Sequence, residues 1–327
     1  MFVDDLVKLK IRKEVASDYL DAATFINENE FDFVIIEHEY GIYGGSRYGA
    51  NVVCLLRSLS IPVVTTLHTI KKSMSDEEHS ILQQFFMLSS KVVVMTQNMK
   101  HMLDAHHNLY GDRIVVIPHG VRAQPYPDKA QEKIRAVVDP KRPTMLGFGL
   151  IHPGKGYEHV IKAMPTILRQ VPNILFMIYG KAHPSCGPSC SSYLQNIKNL
   201  VATLGLSRSV IFYDVFLSDK QLNLVLGATD LYLTPYKDLE QAVSGTVALS
   251  LSKGCVVASS RYDYANEVLK DGRGILFDDL SPSTISSALI NILKDKNKLH
   301  EMSKESYKLT RDWAWNKIAQ SMMNLIT

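Results

Sequence analysis

Short, continuous apolar runs alternate along most of this chain with segments whose apolar positions recur at helical spacing. In the first third the runs are FDFVIIEH, PVVTTLH, KVVVMT and IVVIPHG, and the spacing between them predicts helices near 48–60, 76–89 and 97–107. Strands that are apolar on both faces and are each followed by a helix belong to a parallel sheet covered on both sides. A polar, proline-bearing stretch from Val121 to about Arg142 then interrupts the pattern. It resumes with TMLGFGLI, NILFMIYG, SVIFYDV, DLYLTPY and CVVASS, with helices expected near 157–170, 191–204, 219–227 and 245–253. Two helical segments, SPSTISSALINILKDK and WAWNKIAQSMMNLI, close the chain. The pattern predicts an α/β fold of two Rossmann-like, doubly wound domains facing a central cleft. Ligands of such sheets lie beyond the carboxyl ends of the strands, so the residues just after each run carry the interest.

Composition narrows the function without naming it. A chain of 327 residues, 46% apolar and 21% charged, can bury two cores. Its net charge of +3 comes without a basic stripe interleaved with aromatics, which argues against a nucleic-acid partner. No uncharged apolar stretch approaches the roughly 18 residues that span a bilayer, so membrane contact is at most peripheral. The N-terminal MFVDDLVKLKIRKEV lacks the apolar core of a signal peptide, and the expected location is cytoplasmic. Cys54 and Cys255 lie in apolar segments and are expected as buried thiols of a reducing compartment. Cys186 and Cys190 in HPSCGPSC could bind zinc together with His183, but the second ligand pair of a structural site is absent. A mobile Gly/Pro loop is the expectation there, and no metal site.

Candidate chemistry collects at the predicted strand ends. After TMLGFGLI come Gly154 and Gly156, with Lys155 between them at the turn into a helix. A helix start offers free N–H groups, and lysine supplies a point charge, so the turn suits a diphosphate; a solvated surface lysine is the plainer alternative. DLYLTPY leads to Glu240, Gln241 and then Ser244-Gly245-Thr246 at a helix opening, which reads either as an ordinary cap or as a second cradle for phosphate oxygens. In the first domain PVVTTLH ends at His68, and FDFVIIEH runs into His38-Glu39 ahead of GIYGGSRYG, with Gly44 and Gly45.

These motifs, in this order, resemble the retaining family-4 glycosyltransferases of GT-B fold from about residue 15 to the end. TLHT resembles the N-domain segment whose histidine contacts the donor sugar, IPHGV the close of the first domain, and FGLIHPGKGYEHVIKAM the donor diphosphate turn. GATDLYLTPY is similar to the strand before the acidic motif, SKGCVVAS to the small-residue segment after it, and DWAW to the start of the helix that crosses back to the first domain. The resemblance implies an acceptor-side domain over 1–122 that begins after the family's first strand, a linker over 123–142, a donor-nucleotide domain over 143–308 and a returning helix over 309–327.

It also implies roles. His68 would bind the transferred sugar, Gln241 or Glu240 its hydroxyls, and Val215-Phe216-Leu217 the nucleobase. Lys155, Gly154 and His152 would meet the diphosphate opposite Ser244, Gly245 and Thr246, with Glu267 also on the donor and His38, Glu39, Gly44 and Gly45 on the acceptor side. The substrates would be a nucleotide sugar and a glycan or small acceptor, and no metal or other cofactor is expected. Departures are specific. Leu150 stands where typical members have Arg, and Gln241 and Leu249 where they have paired glutamates. A sub-branch with Q-x-x-SGT, followed by Glu267-Val268 and Asp271 to Gly274, resembles the chain more closely and suggests mannosyl transfer. Two alternatives stand: a weak or inactive sugar-nucleotide-binding subunit, and a nicotinamide-dependent oxidoreductase, for which no full G-x-G-x-x-G fingerprint is present.

Overall fold

The computed structural model describes residues 6–45 and 49–326, so that Ser46, Arg47 and Tyr48 of the glycine-rich stretch lie outside the described residues. The chain divides into two compact units: Met1–Pro118 with Ile318–Thr327, and His119–Lys317.

The first unit runs α1 (Ala16–Glu28), β1 (Val34–His38), α2 (Asn51–Ser58), β2 (Val63–Leu67), α3 (Asp76–Leu88), β3 (Lys91–Val94), α4 (Gln97–His107) and β4 (Ile114–Val116). Its strands pair in parallel in the order β1-β2-β3-β4. All five residues of β2 are buried, Thr65 by sharing a hydrogen bond of 2.7 Å with Ser89, as a central strand covered on both faces requires. One face packs Tyr19, Val52, Leu56, Ile81 and Phe85 together. On the other, Val64, Val93 and Ile117 meet Ile318 from the C-terminal stretch.

The second unit contains α5 (Lys129–Arg135), β5 (Thr144–Phe148), α6 (Tyr157–Gln170), β6 (Leu175–Tyr179), α7 (Gly187–Thr203), β7 (Val210–Tyr213), α8 (Asp219–Gly227) and β8 (Leu231–Thr234). It continues through α9 (Gly245–Ser252), β9 (Val256–Ser260), α10 (Asp263–Val268), β10 (Gly274–Phe277), α11 (Pro282–Lys294) and α12 (Lys296–Leu309) to the start of α13 (Trp315–Met323), whose residues from Ile318 on belong to the first unit. The parallel sheet has the order β10-β9-β8-β5-β6-β7. Alternate strand residues feed two cores, Met145, Phe176 and Leu231 on one face and Leu146, Met177 and Tyr232 on the other. The connections run outward from β5 to β7, jump back to β8 and run outward again. The order therefore reverses between β5 and β8, and a doubly wound sheet opens its ligand crevice at that point.

Three local expectations differ from the structure. Within the stretch expected as a linker, Asp128 caps α5 through its side chain. Lys133 is buried there, donating hydrogen bonds to Asp230 at 2.6 Å and to the carbonyl of Arg142 at 2.8 Å, which ties the segment into the second unit. Cys54 is exposed, not buried: the helical period of α2 turns Val52, Val53, Leu55 and Leu56 inward and leaves Cys54 outward. HPSCGPSC is not a mobile loop, because Pro184–Cys186 forms a helical turn, α7 starts at Gly187 with Pro188 in its first turn, and Cys186 is joined to Cys190 as a disulfide. Cys255 is buried as expected.

Candidate functional site

β5 and β8 lie side by side at the reversal, and the segments leaving their carboxyl ends meet. After β5, Pro153–Lys155 forms one tight helical turn and Gly156 leads into α6 with φ of 64°. A Cβ at Gly156 would stand 2.0 Å from the carbonyl oxygen of Pro235. Only glycine allows both the left-handed backbone and that approach. The loop after β8 completes the clamp: the N–H of Lys237 donates to the carbonyl of Gly154 at 3.0 Å, and the Lys237 ammonium pairs with Glu158. Tyr193 of α7 accepts from the N–H of Tyr157 at 3.0 Å and donates to Glu158 at 2.5 Å. The glycine turn is thus fixed by two neighbouring elements.

Lys155 is half-buried and tethered. Its Nζ donates to the Tyr236 hydroxyl at 2.7 Å and lies 4.2 Å from the centre of the same ring. The Tyr236 hydroxyl is 3.4 Å from that of Thr246, which is 3.1 Å from that of Ser244. Burial of Tyr236 opposes its ionisation, but the charge and hydrogen bond of Lys155, together with the hydroxyls of Thr246 and Tyr232, hold the phenol below its ordinary pKa. Ser244 is the N-cap of α9 and accepts from the N–H of Val247 at 3.4 Å, so Gly245 and Thr246 occupy the first turn, whose N–H groups no carbonyl of the helix can reach. A lysine, three hydroxyls and a helix N-terminus converge there. Groups of these kinds can hold an anion.

His152 precedes the turn, half-buried. Burial, with the nearby Lys155 and His183, holds its imidazole below the usual pKa and therefore neutral at neutral pH. His119 brings its Nε2 to 3.0 Å from where a Gly245 Cβ would sit. Glu240 is exposed, and Gln241 is half-buried with its amide donating to the carbonyl of Val243 at 3.1 Å. Backbone hydrogen bonds from Asp263 to Leu239 and from Tyr264 to Gln241 hold this loop on the start of α10. Glu267 lies in the second turn of α10, half-buried. Val215 and Phe216 follow edge strand β7 with large exposed surfaces, and Leu217 packs partly against the core.

In the first unit, the ends of β1 and β2 are in register, His38 opposite Leu67. His68 Nε2 pairs with Glu37 at 2.7 Å, and the Thr69 hydroxyl donates to Glu39 at 2.7 Å. His38 is buried against Phe85, with ring centres 4.3 Å apart, and its Nδ1 has no hydrogen-bond partner among the described residues. Burial, and then the neighbouring His68, pushes its pKa down to about 4. Such a residue stays neutral at neutral pH and is no proton carrier. Gly44 and Gly45 donate their N–H groups to Tyr19 and Glu14 at 3.1 and 2.9 Å. Among the described residues, no three His, Cys, Asp or Glu side chains form a metal-binding group, and no helix is long and apolar enough to cross a membrane.

Residues 128–309 match the family model of glycosyl transferases group 1, which covers more than half of the chain. The chain belongs to that family. Residues 8–124 match the model of glycosyltransferase family 4. Among curated relatives, the D-inositol 3-phosphate glycosyltransferase of Segniliparus rotundus is 23% identical over 281 residues, 81% of this chain and 60% of that protein. A GDP-mannose-dependent alpha-(1-6)-phosphatidylinositol monomannoside mannosyltransferase of Mycolicibacterium smegmatis is 24% identical over 57% of this chain and 48% of its own length. The chain thus spans about half to three fifths of these relatives. Among solved structures, a glycosyltransferase from Rickettsia africae superposes with a TM-score of 0.76 at 14% identity, over 98% of this chain and 83% of that one. Anabaena HepE in complex with UDP and glucose gives a TM-score of 0.74 at 15% identity, over 94% and 80%. The fold of this group 1 chain is accordingly GT-B.

Three residues that touch the expected site residues escaped the sequence reading. Tyr236 binds Lys155, Glu37 binds His68, and His119 lies over Gly245. Tyr236 and Glu37 stand at or just past a strand's carboxyl end, which is the signal that could have found them.

Proposed function

We propose that this chain is a retaining glycosyltransferase moving a hexose, mannose or glucose, from a nucleotide-diphosphate sugar to a glycan or small acceptor. The observation that carries the proposal is the joining of Lys155, Tyr236, Thr246 and the first turn of α9 at the strand-order reversal. The donor diphosphate is placed against these groups, with the base toward Val215, Phe216 and Leu217. The bond from the anomeric carbon to the diphosphate oxygen breaks as the bond to the acceptor oxygen forms on the same face. The acceptor's proton passes to the departing diphosphate, whose growing charge Lys155 and the helix N–H groups stabilise. The family resemblance assigns the transferred sugar to His68, whose ring is paired with Glu37. Mannose is favoured by the GDP-mannose-dependent relative, and glucose by the ligands of HepE.

Because a lysine and a helix terminus supply the positive charge here, the chemistry is proposed to need no metal. Donor turnover is therefore expected to continue unchanged in excess EDTA. A strict requirement for added Mg²⁺ or Mn²⁺ would overturn this diphosphate arrangement.

A second reading, a sugar-nucleotide-binding protein of weak or no activity, has its own support. Leu249 stands where the family has a glutamate, and the Gln241 side chain is turned onto the carbonyl of Val243. The same assay separates the two: under this reading nucleotide binds, but neither transfer nor donor hydrolysis is measurable.

A further inference from the structure

Lys253 is the C-cap of α9, at the opposite end of that helix from Ser244, and only 5% of its surface is exposed. Eight residues of helix separate the two ends by about 12 Å. Among the described residues its ammonium has no hydrogen-bond or ion-pair partner. The negative end of the α9 dipole and a nearby carboxylate, Glu132, act on it only at a distance. Burial, the largest influence, holds its pKa below the ordinary value, and Lys129 and Arg311 add to this. A partly desolvated cation that faces a cavity without a bonded partner is available to a ligand that enters it.

Lys253 lines a cavity of about 180 Å³ between α8, α9 and the segment after Val121. The remaining walls suit one kind of molecule. Arg122 adds a second cation, held by Asp219 at 2.9 Å. Gln124 and Asn223, linked to each other by a hydrogen bond of 3.4 Å, offer neutral donors and acceptors. The indole of Trp315, 56% exposed, gives a flat apolar wall of the kind on which the C–H face of a sugar ring packs. The volume is well below the ~300–1,000 Å³ of pockets for drug-sized ligands and fits a single ring with one charged group. We propose that this cavity is a second binding site, for a monosaccharide phosphate, with the phosphoryl group on Lys253 and Arg122 and the sugar against Trp315, Gln124 and Asn223.

The test uses the full chain, with mannose 6-phosphate as the probe and inorganic phosphate and mannose as comparisons. Melting curves and calorimetry are run on the parent and on the Lys155→Ala, Lys253→Met and Arg122→Gln variants. Mannose 6-phosphate is expected to stabilise the parent saturably and to stabilise Lys155→Ala to the same extent, which separates this site from the donor turn. Lys253→Met is expected to melt no lower than the parent, because a partly desolvated charge is gone, and to bind the probe at least tenfold more weakly. Arg122 is exposed, and its Gln variant, which leaves the interior untouched, is expected to weaken binding in the same direction. Three outcomes would overturn the proposal: no stabilisation of the parent, equal binding by the parent and both cavity variants, or loss of binding in Lys155→Ala alone. Equal affinity for inorganic phosphate would overturn the assignment to a sugar phosphate.

Discussion

Lys155→Ala is expected to lower donor turnover by on the order of a hundredfold, about 3 kcal/mol in barrier, while the melting temperature stays within a few degrees of the parent. The lysine is held by one hydroxyl and the face of the same ring, Tyr236, and neither contact supports the core. The Tyr236 ring stays packed on Tyr262, 5.1 Å away, when the lysine is truncated. Removing the ammonium also removes the largest lowering influences on the Tyr236 pKa, which favours the neutral phenol and its burial. What is lost is a positive charge at the point where the leaving diphosphate gathers negative charge. Steady-state turnover measured beside a melting curve decides the matter, and unchanged turnover would remove Lys155 from the site.

Gly245→Val is expected to weaken nucleotide binding tenfold or more, about 1.4 kcal/mol, with a much smaller change in stability. A Cβ there meets Nε2 of His119 at 3.0 Å, the far end of a side chain that can turn aside. The backbone of Gly245 carries no left-handed φ, so the fold itself does not demand glycine at this position. A ligand would demand it. Two extra methyl groups in the first turn of α9 stand between phosphate oxygens and the N–H groups proposed to hold them. Calorimetry on the variant returning the parent's affinity would reduce Ser244, Gly245 and Thr246 to a helix cap.

Most of the architecture was legible because its physical cause is local. KVVVMT and NILFMIYG read as strands of a doubly covered parallel sheet since both faces of each must be apolar, and β3 and β6 lie where the runs are. The helix starts at Ser75 and Ser218 carry capping boxes, with Glu78 and Gln221 three residues on. Elements that owe their place to distant partners were not legible. The only buried residue of α5 is Lys133, so no apolar stripe announces it, and its anchor, Asp230, is 97 residues away. β10 is four residues long at a sheet edge, with only Phe277 fully buried, and it leaves a signal too short to separate from the turn before it. Cys54 was misplaced because the apolar run around it hid the helical period. In the site, Lys155 and the Ser244 cap were visible as turn chemistry next to strands. The link that makes them one cluster, Tyr236, depends on the strand order, which puts β8 beside β5 and which the sequence does not state.

The most direct test of the central claim is a calorimetric titration of the purified chain with UDP, GDP and ADP, their monophosphates and their hexose conjugates. If Lys155, Tyr236 and the first turn of α9 form the donor diphosphate site, one base series binds saturably, its diphosphate at least tenfold tighter than its monophosphate, and Lys155→Ala abolishes most of that difference. A chain that binds none of them, or that binds monophosphate and diphosphate alike with and without Lys155, has no donor site at the β5–β8 reversal.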